Sequence, residues 1–296
     1  MKVFLQIFLC FILTISIVAC DHKNYPSDYK SSKAQTMSDV LYPSFPMTST
    51  FSDGQVAIVD LSNIHSGYLG CQLLNEIESN VKLIIEKDEK KYTYDIQSTT
   101  MTTFPLSCGN GSYSIRIVKN VEGSLYAILA STTIEVEMDN PLLPYLYPNQ
   151  IVSYQADSNI VSLSMKIVKG DHTDLERIED IYEYVLKNLS YDEQELNTID
   201  SFKIPDLDEL IETKKGICID YAVLMAAICR IQGIPCRVVV GATDIQYHAW
   251  CEIYLKGKGW INPKVYFKSK KWSIVDPTFA DSKQDYEGKY QEDYHY

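Results

Sequence analysis

Two runs of sequence, KGICIDYA at residues 215–222 and CRIQGIPCRVVVG at residues 229–241, decide the fold of the C-terminal half. A predicted helix begins in the first run, at about residue 218, and ends in the second, at about residue 232. One face of this helix is shared by Cys218, Ala222, Met225 and Cys229. Gly233 then closes the helix, and Pro235 directs the chain into a strand. We therefore expect a buried central helix with a cysteine at its N-terminal tip, within an α+β arrangement.

A cysteine at the start of a helix has the chemistry of a nucleophile. Unpaired backbone amides and the helix dipole favour the thiolate there, and the thiolate is the reactive form. Gly216, two positions before Cys218, lets the chain approach closely without a side chain, and the backbone N–H of Cys218 then points toward a developing oxyanion. Cys218 is therefore the candidate nucleophile.

The base that such a thiol needs must come from elsewhere in the chain. Of the five histidines, four lie in a predicted tether, in a β-rich region, before a helix or at the C-terminus: His22, His65, His172 and His295. His248 opens a predicted strand beside the apolar helix, so it is the candidate base. Asp276 ends a predicted strand just before Pro277 and is the candidate carboxylate that orients the imidazole.

The sequence blocks around these three residues resemble those of the transglutaminase-like superfamily. The nucleophile block is residues 215–241, the histidine block is YHAWCE at residues 247–252, and the aspartate block is WSIVDPTF at residues 272–279. Three blocks in this order and spacing make a specific signal, which covers about residues 176–280.

The resemblance implies a papain-like α+β fold and catalysis without a metal or an organic cofactor. It implies Cys218 as nucleophile, His248 as base and Asp276 as the residue that orients the base. Tyr191, which follows the first helix of this half, is either a possible oxyanion donor or an ordinary packing residue.

The preceding region, residues 50–140, predicts an antiparallel β-sandwich-like domain. Its short runs are rich in β-forming residues, and alternation places Tyr113, Ile115 and Ile117 on one face of a strand. A cluster of Pro141, Pro144 and Pro148 then indicates a domain boundary. We therefore expect the transglutaminase-like domain at residues 150–282.

The two ends of the chain carry other signals. Residues 1–19 predict a signal peptide, with a charged start and an apolar run shorter than a membrane-spanning helix needs. The tetrad Ile17, Val18, Ala19 and Cys20 resembles a bacterial lipobox, which implies a lipid on Cys20. Residues 20–49 then predict a mobile, lipid-attached tether, and residues 283–296 a flexible, acidic, Tyr-rich tail.

Composition excludes some classes of function. With 39 acidic and 27 basic residues the formal net charge is −12, so nucleic acid would be repelled. No two histidines lie at metal-ligand spacing, and neither a CxxC pair nor a Gly-rich phosphate loop occurs. Cys71 and Cys108 either pair as a disulfide or remain buried thiols; the latter is the simpler expectation.

These features predict an enzyme on the outer side of a bacterial cell membrane, anchored there by lipid. It would cleave or transfer amide or peptide bonds of envelope or extracellular polypeptides through a Cys thioester, with hydrolysis favoured over crosslinking. The alternative is a non-catalytic binding or scaffold module of the envelope that retains the same fold.

Overall fold

The computed structural model describes residues 35–170, 173–192, 194–195, 203–243, 247–261 and 290–296. Within these residues the N-terminal half contains strands only, apart from short 3-10 turns. Its strands are β1 (Thr50–Ser52), β2 (Ala57–Asp60), β3 (Tyr68–Leu73), β4 (Val81–Lys87), β5 (Lys90–Ile96), β6 (Thr102–Pro105), β7 (Gly111–Glu122) and β8 (Leu125–Val136).

These strands form two four-stranded antiparallel sheets, in the orders β1-β2-β3-β6 and β5-β4-β7-β8. One hydrophobic core joins them, because alternate side chains of each sheet point to the same interior. The predicted face of β7 is part of that core, with Tyr113, Ile115 and Ile117 at most 1% exposed. The antiparallel sandwich predicted from the sequence is confirmed.

The C-terminal half mixes helices with strands. Its helices are α1 (Asn159–Ile167), α2 (Asp174–Asn188), α3 (Leu207–Thr213) and α4 (Cys218–Ile231). A two-stranded parallel ladder joins β9 (Ser190–Tyr191) to β10 (Lys215–Gly216). A four-stranded antiparallel sheet has the order β13-β12-β11-β14, formed by β11 (Cys236–Thr243), β12 (Tyr247–Leu255), β13 (Gly259–Ile261) and β14 (Tyr290–His295).

Helix α4 is the centre of this half. Residues 221–231 are all buried, so the helix is covered all round instead of along a single stripe. It packs against β11 and β12 on one side and against α1, α2 and α3 on the other. The α+β class and the buried central helix that begins at Cys218 are thus confirmed.

The predicted tether is wrong for its described part, residues 35–49. This segment packs on the sandwich instead of remaining mobile: the Asn63 side-chain amide donates to the Ser44 carbonyl at 2.7 Å, and the Met47 N–H donates to Asp60 Oδ2 at 3.1 Å. The Phe45 ring meets the Tyr68 ring edge-on at 6.3 Å. The aromatic residues of this segment follow no regular spacing in the sequence. Their contacts with the sandwich could therefore not be predicted from the sequence.

The predicted flexible tail is wrong for residues 290–296. Residues 290–295 form β14, which pairs antiparallel with β11. The tyrosines that suggested a polar tail pack as aromatic residues, since Tyr294 and Tyr296 lie 5.5 and 5.8 Å from the Tyr92 ring. Residues 283–289 of the tail lie outside the described residues.

Candidate active site

The N-terminus of α4 presents Cys218 as the first residue of the helix. The preceding residue, Ile217, has an extended backbone with φ −103° and ψ −174°, so the chain turns sharply into the helix. Cys218 is half-buried, whereas its neighbours Ile217 and Ile219 are buried. The thiol therefore lies where the first N–H groups of a helix have no intrahelical partner and favour negative charge.

Asp220 makes the turn before Cys218 rigid. Its Oδ2 accepts the backbone N–H of Ile217 at 2.8 Å, which is one half of a capping box. A Cβ on Gly216 would lie 2.6 Å from the Asp220 Cβ and 2.9 Å from Oδ2. The glycine is thus required because the Asp220 side chain folds back over it, a more specific reason than the close approach predicted from sequence.

Gly216 also joins this turn to the neighbouring segment. It pairs with Tyr191 in the parallel ladder, and its carbonyl accepts the Asp192 N–H at 3.0 Å. The half-buried Tyr191 ring lies 6.3 Å from the ring of Tyr221, in the first turn of α4. Tyr191 is therefore next to the predicted site; its role as an oxyanion donor stays a prediction.

His248 lies at the start of β12, directly after the β11–β12 connection. It is the second residue of β12, pairs with Gly241 of β11 and is 2% exposed. It shares its face of the sheet with Trp250, whose ring is nearly parallel at 21° and 6.3 Å away. The intervening Ala249 faces the core around α4.

The topology brings the candidate nucleophile and base to the same end of the domain. Helix α4 extends about 20 Å from Cys218 to Ile231. After a short connection, β11 packs against the helix and returns over about 17 Å from Cys236 to Gly241. Because Gly241 pairs with His248, His248 lies at the end of the sheet nearest the N-terminus of α4.

The third predicted residue, Asp276, lies outside the described residues, as does the predicted lipidation site Cys20. The orienting role of Asp276 and the lipid on Cys20 therefore stay predictions. What the structure places is the helix terminus with Cys218, the strand end with His248, and Tyr191 beside the turn that connects to the helix.

Sequence reasoning missed Asp220. Burial raises the pKa of its carboxyl to about 6, opposed by the Ile217 N–H and assisted by the charge of Glu195. The signal was present in the sequence: an acidic residue three positions after the residue that precedes a helix is half of a capping box. It was concealed because an isoleucine occupies the position where the box usually has serine or threonine.

Cys218 differs from most other described cysteines in exposure. Six are described, all as thiols and not as disulfides; Cys71 is buried as expected, whereas Cys108 is only half-buried. Cys71, Cys229, Cys236 and Cys251 are fully buried, and burial raises the pKa of the Cys71 thiol to about 12. Cys218 and Cys108 are half-buried, which makes Cys108 the natural comparison for reactivity.

A buried ion pair supports the sheet behind the site. The Arg237 Nε donates to Glu252 Oε2 at 2.8 Å, and the guanidinium lies 4.5 Å from the centre of the Trp260 ring. Burial raises the pKa of Glu252 to about 7, although the Arg237 charge opposes the rise. Arg237 therefore has a structural role in the sheet.

The described residues contain neither a metal-binding cluster nor a membrane-spanning helix. No group of three or more His, Cys, Asp or Glu side chains there is arranged to hold a metal ion. In the same residues, no helix has both the length and the hydropathy that crossing a membrane requires.

Comparison with known families identifies the C-terminal half. The model of the transglutaminase-like superfamily matches residues 161–277, a range that contains Cys218, His248 and Asp276. The chain carries a transglutaminase-like domain. The superfamily predicted from the three sequence blocks is confirmed, and the sandwich precedes the transglutaminase-like domain in the chain.

The chain is similar to only part of each curated relative. It is 28% identical over 149 residues to human kyphoscoliosis peptidase, a match that covers 46% of this chain and 20% of that protein. A match to protein YebA of Bacillus subtilis, 26% identical over 119 residues, covers 34% of this chain and 16% of that protein.

A solved structure of a proposed cysteine protease from Cytophaga hutchinsonii has a TM-score of 0.36 and 17% identity. The match covers 74% of this chain and 79% of the Cytophaga chain.

Proposed function

We propose that the chain is a thiol enzyme that hydrolyses amide or peptide bonds of polypeptides through a thioester on Cys218. The observation that carries this proposal is the half-buried Cys218 at the first position of the buried helix α4, at the same end of the domain as His248. The similarity to kyphoscoliosis peptidase supports peptide-bond chemistry over other acyl transfers.

The mechanism follows from the placement of these groups. The Cys218 thiolate attacks the carbonyl carbon, and the backbone N–H of Cys218 donates to the oxyanion that forms. His248 passes its proton to the leaving amine as the C–N bond breaks, which leaves an acyl thioester and a neutral imidazole. His248 then takes a proton from water as the oxygen attacks the thioester. The C–S bond breaks and the carboxylic acid leaves, which restores the Cys218 thiolate and the protonated His248.

Asp276 would hold the far nitrogen of His248 and stabilise the imidazolium. An amine in place of water would give crosslinking. Hydrolysis is favoured, because the sequence has neither a calcium loop nor a recognisable tunnel for a lysine acceptor.

The triad is tested with Cys218→Ala and His248→Ala, with Cys108→Ala as the matched control. The assay follows release of peptides and ammonia from casein, and incorporation of dansylcadaverine into it. We expect Cys218→Ala to lower activity by about a thousandfold or more and His248→Ala by about a hundredfold, while Cys108→Ala stays at the wild-type rate.

Thiol reactivity gives a result that is independent of the substrate. Site-resolved iodoacetamide labelling should modify Cys218 at least about tenfold faster than Cys108 at neutral pH, and His248→Ala should remove most of that difference. Equal labelling of the two thiols, together with full activity of Cys218→Ala, would support the scaffold alternative and contradict the enzyme.

We further propose that the protein is anchored to the outer side of a bacterial membrane by a lipid on Cys20, on the evidence of the lipobox-like tetrad. Several acyl chains are expected, since a single chain binds membranes only marginally. Mass spectrometry of the mature N-terminus should find acylated Cys20, and Cys20→Ser should release the protein into the soluble fraction. An unmodified N-terminus at a later residue contradicts the anchor.

A further inference from the structure

Asp220 lies at the same helix terminus as the candidate nucleophile. It is the third residue of α4, half-buried, and its carboxylate reaches back to the N–H of Ile217 at 2.8 Å. The Gly216 backbone lies beneath it so closely that a Cβ there would stand 2.9 Å from the carboxyl carbon. The side chain is therefore held in place by both a hydrogen bond and the shape of the turn.

This placement has a geometric consequence for the turn. The Ile217 N–H is occupied by Asp220, so it is not offered to an oxyanion, and the next amide in the chain is that of Cys218 itself. Ile217 also begins the helix, since its carbonyl accepts the N–H groups of Asp220 and Tyr221 at 3.0 and 3.2 Å. The Asp220 carboxyl group thus fixes the backbone of Ile217, the residue that directly precedes Cys218.

The placement also has an electrostatic consequence. A helix N-terminus offers a limited positive potential, worth roughly half an elementary charge. An ionised Asp220 takes part of that potential, and its own negative charge disfavours a second anion one turn or less away. A thiolate on Cys218 and a carboxylate on Asp220 therefore compete.

We propose that Asp220 is a positioning residue for Cys218, which fixes the turn before α4 and whose negative charge opposes formation of the thiolate. This rests on the proposed function, in which the thiolate is the nucleophile. The proposal adds a further residue, outside the triad, whose charge controls the reactivity of the nucleophile.

The charged groups that face Asp220 allow its charge to change in mildly acidic solution. Burial raises the pKa of Asp220 to about 6; the Ile217 N–H and Lys203 oppose the rise, and Glu195 contributes to it. Below about pH 6 the carboxyl is neutral, and the helix terminus favours the thiolate without opposition. Above that pH the carboxylate opposes the negative charge of a thiolate. The Cys218 thiol is therefore less reactive than it would be in a chain without the Asp220 charge.

Folding stability should follow the same titration. Because the pKa of Asp220 in the folded chain lies above its ordinary value of 3.8, this group contributes stability that is fully present below about pH 4 and is lost as pH rises through about 6. Asp220→Asn should remove this part of the pH dependence.

The experiment measures iodoacetamide labelling of Cys218 in the full chain, by peptide mass spectrometry, from pH 4 to pH 9. Asp220→Asn keeps an oxygen that can accept the Ile217 N–H but removes the charge. We expect it to label about threefold to tenfold faster than wild type at pH 7, with the profile displaced to lower pH. Asp220→Ala should instead lose amide-exchange protection at Ile217.

Asp208→Asn is the matched control. The Asp208 carboxylate also accepts N–H groups at a helix start, those of Asn159 and Ile160 at 3.1 Å, but at α1. It should leave the Cys218 profile unchanged. If Asp220→Asn likewise leaves the profile unchanged and alters only the melting temperature, Asp220 is a structural cap and the proposal is overturned.

The wild-type profile is a second measurement that does not depend on the variants folding. It should show an inflection near pH 6 in addition to the titration of the thiol, and a single titration curve contradicts the proposal. Labelling needs no substrate, so a displaced profile without casein hydrolysis contradicts only the proposed function. Hydrolysis that depends on Cys218 with an unchanged profile contradicts only the role of Asp220.

Discussion

At the scale of single residues, the site depends on a glycine and an acid that occupy the same small space. Gly216 lacks a side chain at the point where the Asp220 carboxyl crosses the backbone, with less than 3.0 Å available to a Cβ. A side chain at residue 216 would therefore collide with that carboxyl group. Cys218 thus takes its position from Gly216 and Asp220.

Gly216→Ala should therefore displace the Asp220 carboxyl from the Ile217 N–H. We expect a loss of about 1–3 kcal/mol in the free energy of unfolding, as for other overpacked sites, and faster amide exchange at Ile217. The matched control is Gly70→Ala in the sandwich, where a Cβ would meet the Phe45 ring at 2.5 Å. It should also cost stability but leave exchange at Ile217 as in wild type; retained protection in Gly216→Ala would contradict the steric argument.

At the scale of elements, the end of α4 is joined to β11 and to the C-terminal residues by one buried arginine. Arg230 is 1% exposed, and its three donor nitrogens each reach a backbone carbonyl: those of Cys236, Tyr147 and Tyr296, at 2.9, 2.8 and 2.7 Å. Burial lowers the pKa of this guanidinium. Its planar fork serves three segments at once, which a lysine could not do.

Arg230→Ala should remove a buried donor from all three carbonyls, of which only that of Tyr296 has a second donor described, the Val238 N–H at 2.9 Å. We expect a loss of about 3 kcal/mol or more in the free energy of unfolding, measured by urea denaturation. Arg116→Ala is the control, because Arg116 pairs with Glu86 on a partly exposed face of the sandwich, and such pairs contribute about 1 kcal/mol or less. Equal losses for the two variants would refute the central role of Arg230.

At the scale of the whole molecule, the segment predicted as a domain boundary and the segment predicted as a flexible tail both contact the sandwich. Gln150 follows the proline cluster, and its N–H donates to the Thr103 carbonyl at 3.0 Å while its side-chain amide donates to the Asp95 carbonyl at 2.7 Å. Within the cluster, Leu142, Tyr145 and Leu146 are buried. From the other end of the chain, the Asp293 carbonyl in β14 accepts from Lys90 Nζ at 2.8 Å.

The sequence by itself determined the α+β class, the sandwich, the start of α4 and the positions of Cys218 and His248. These follow from local causes: the periods of two and 3.6, Gly and Pro at element ends, and short spaced motifs. Only the tertiary structure decided the packing of residues 35–49, the pairing of β14 with β11, and the position of the Asp220 carboxyl over Gly216. The first two depend on contacts with parts of the chain that are distant in sequence. The third depends on the shape of a turn, which the amino-acid sequence alone does not specify.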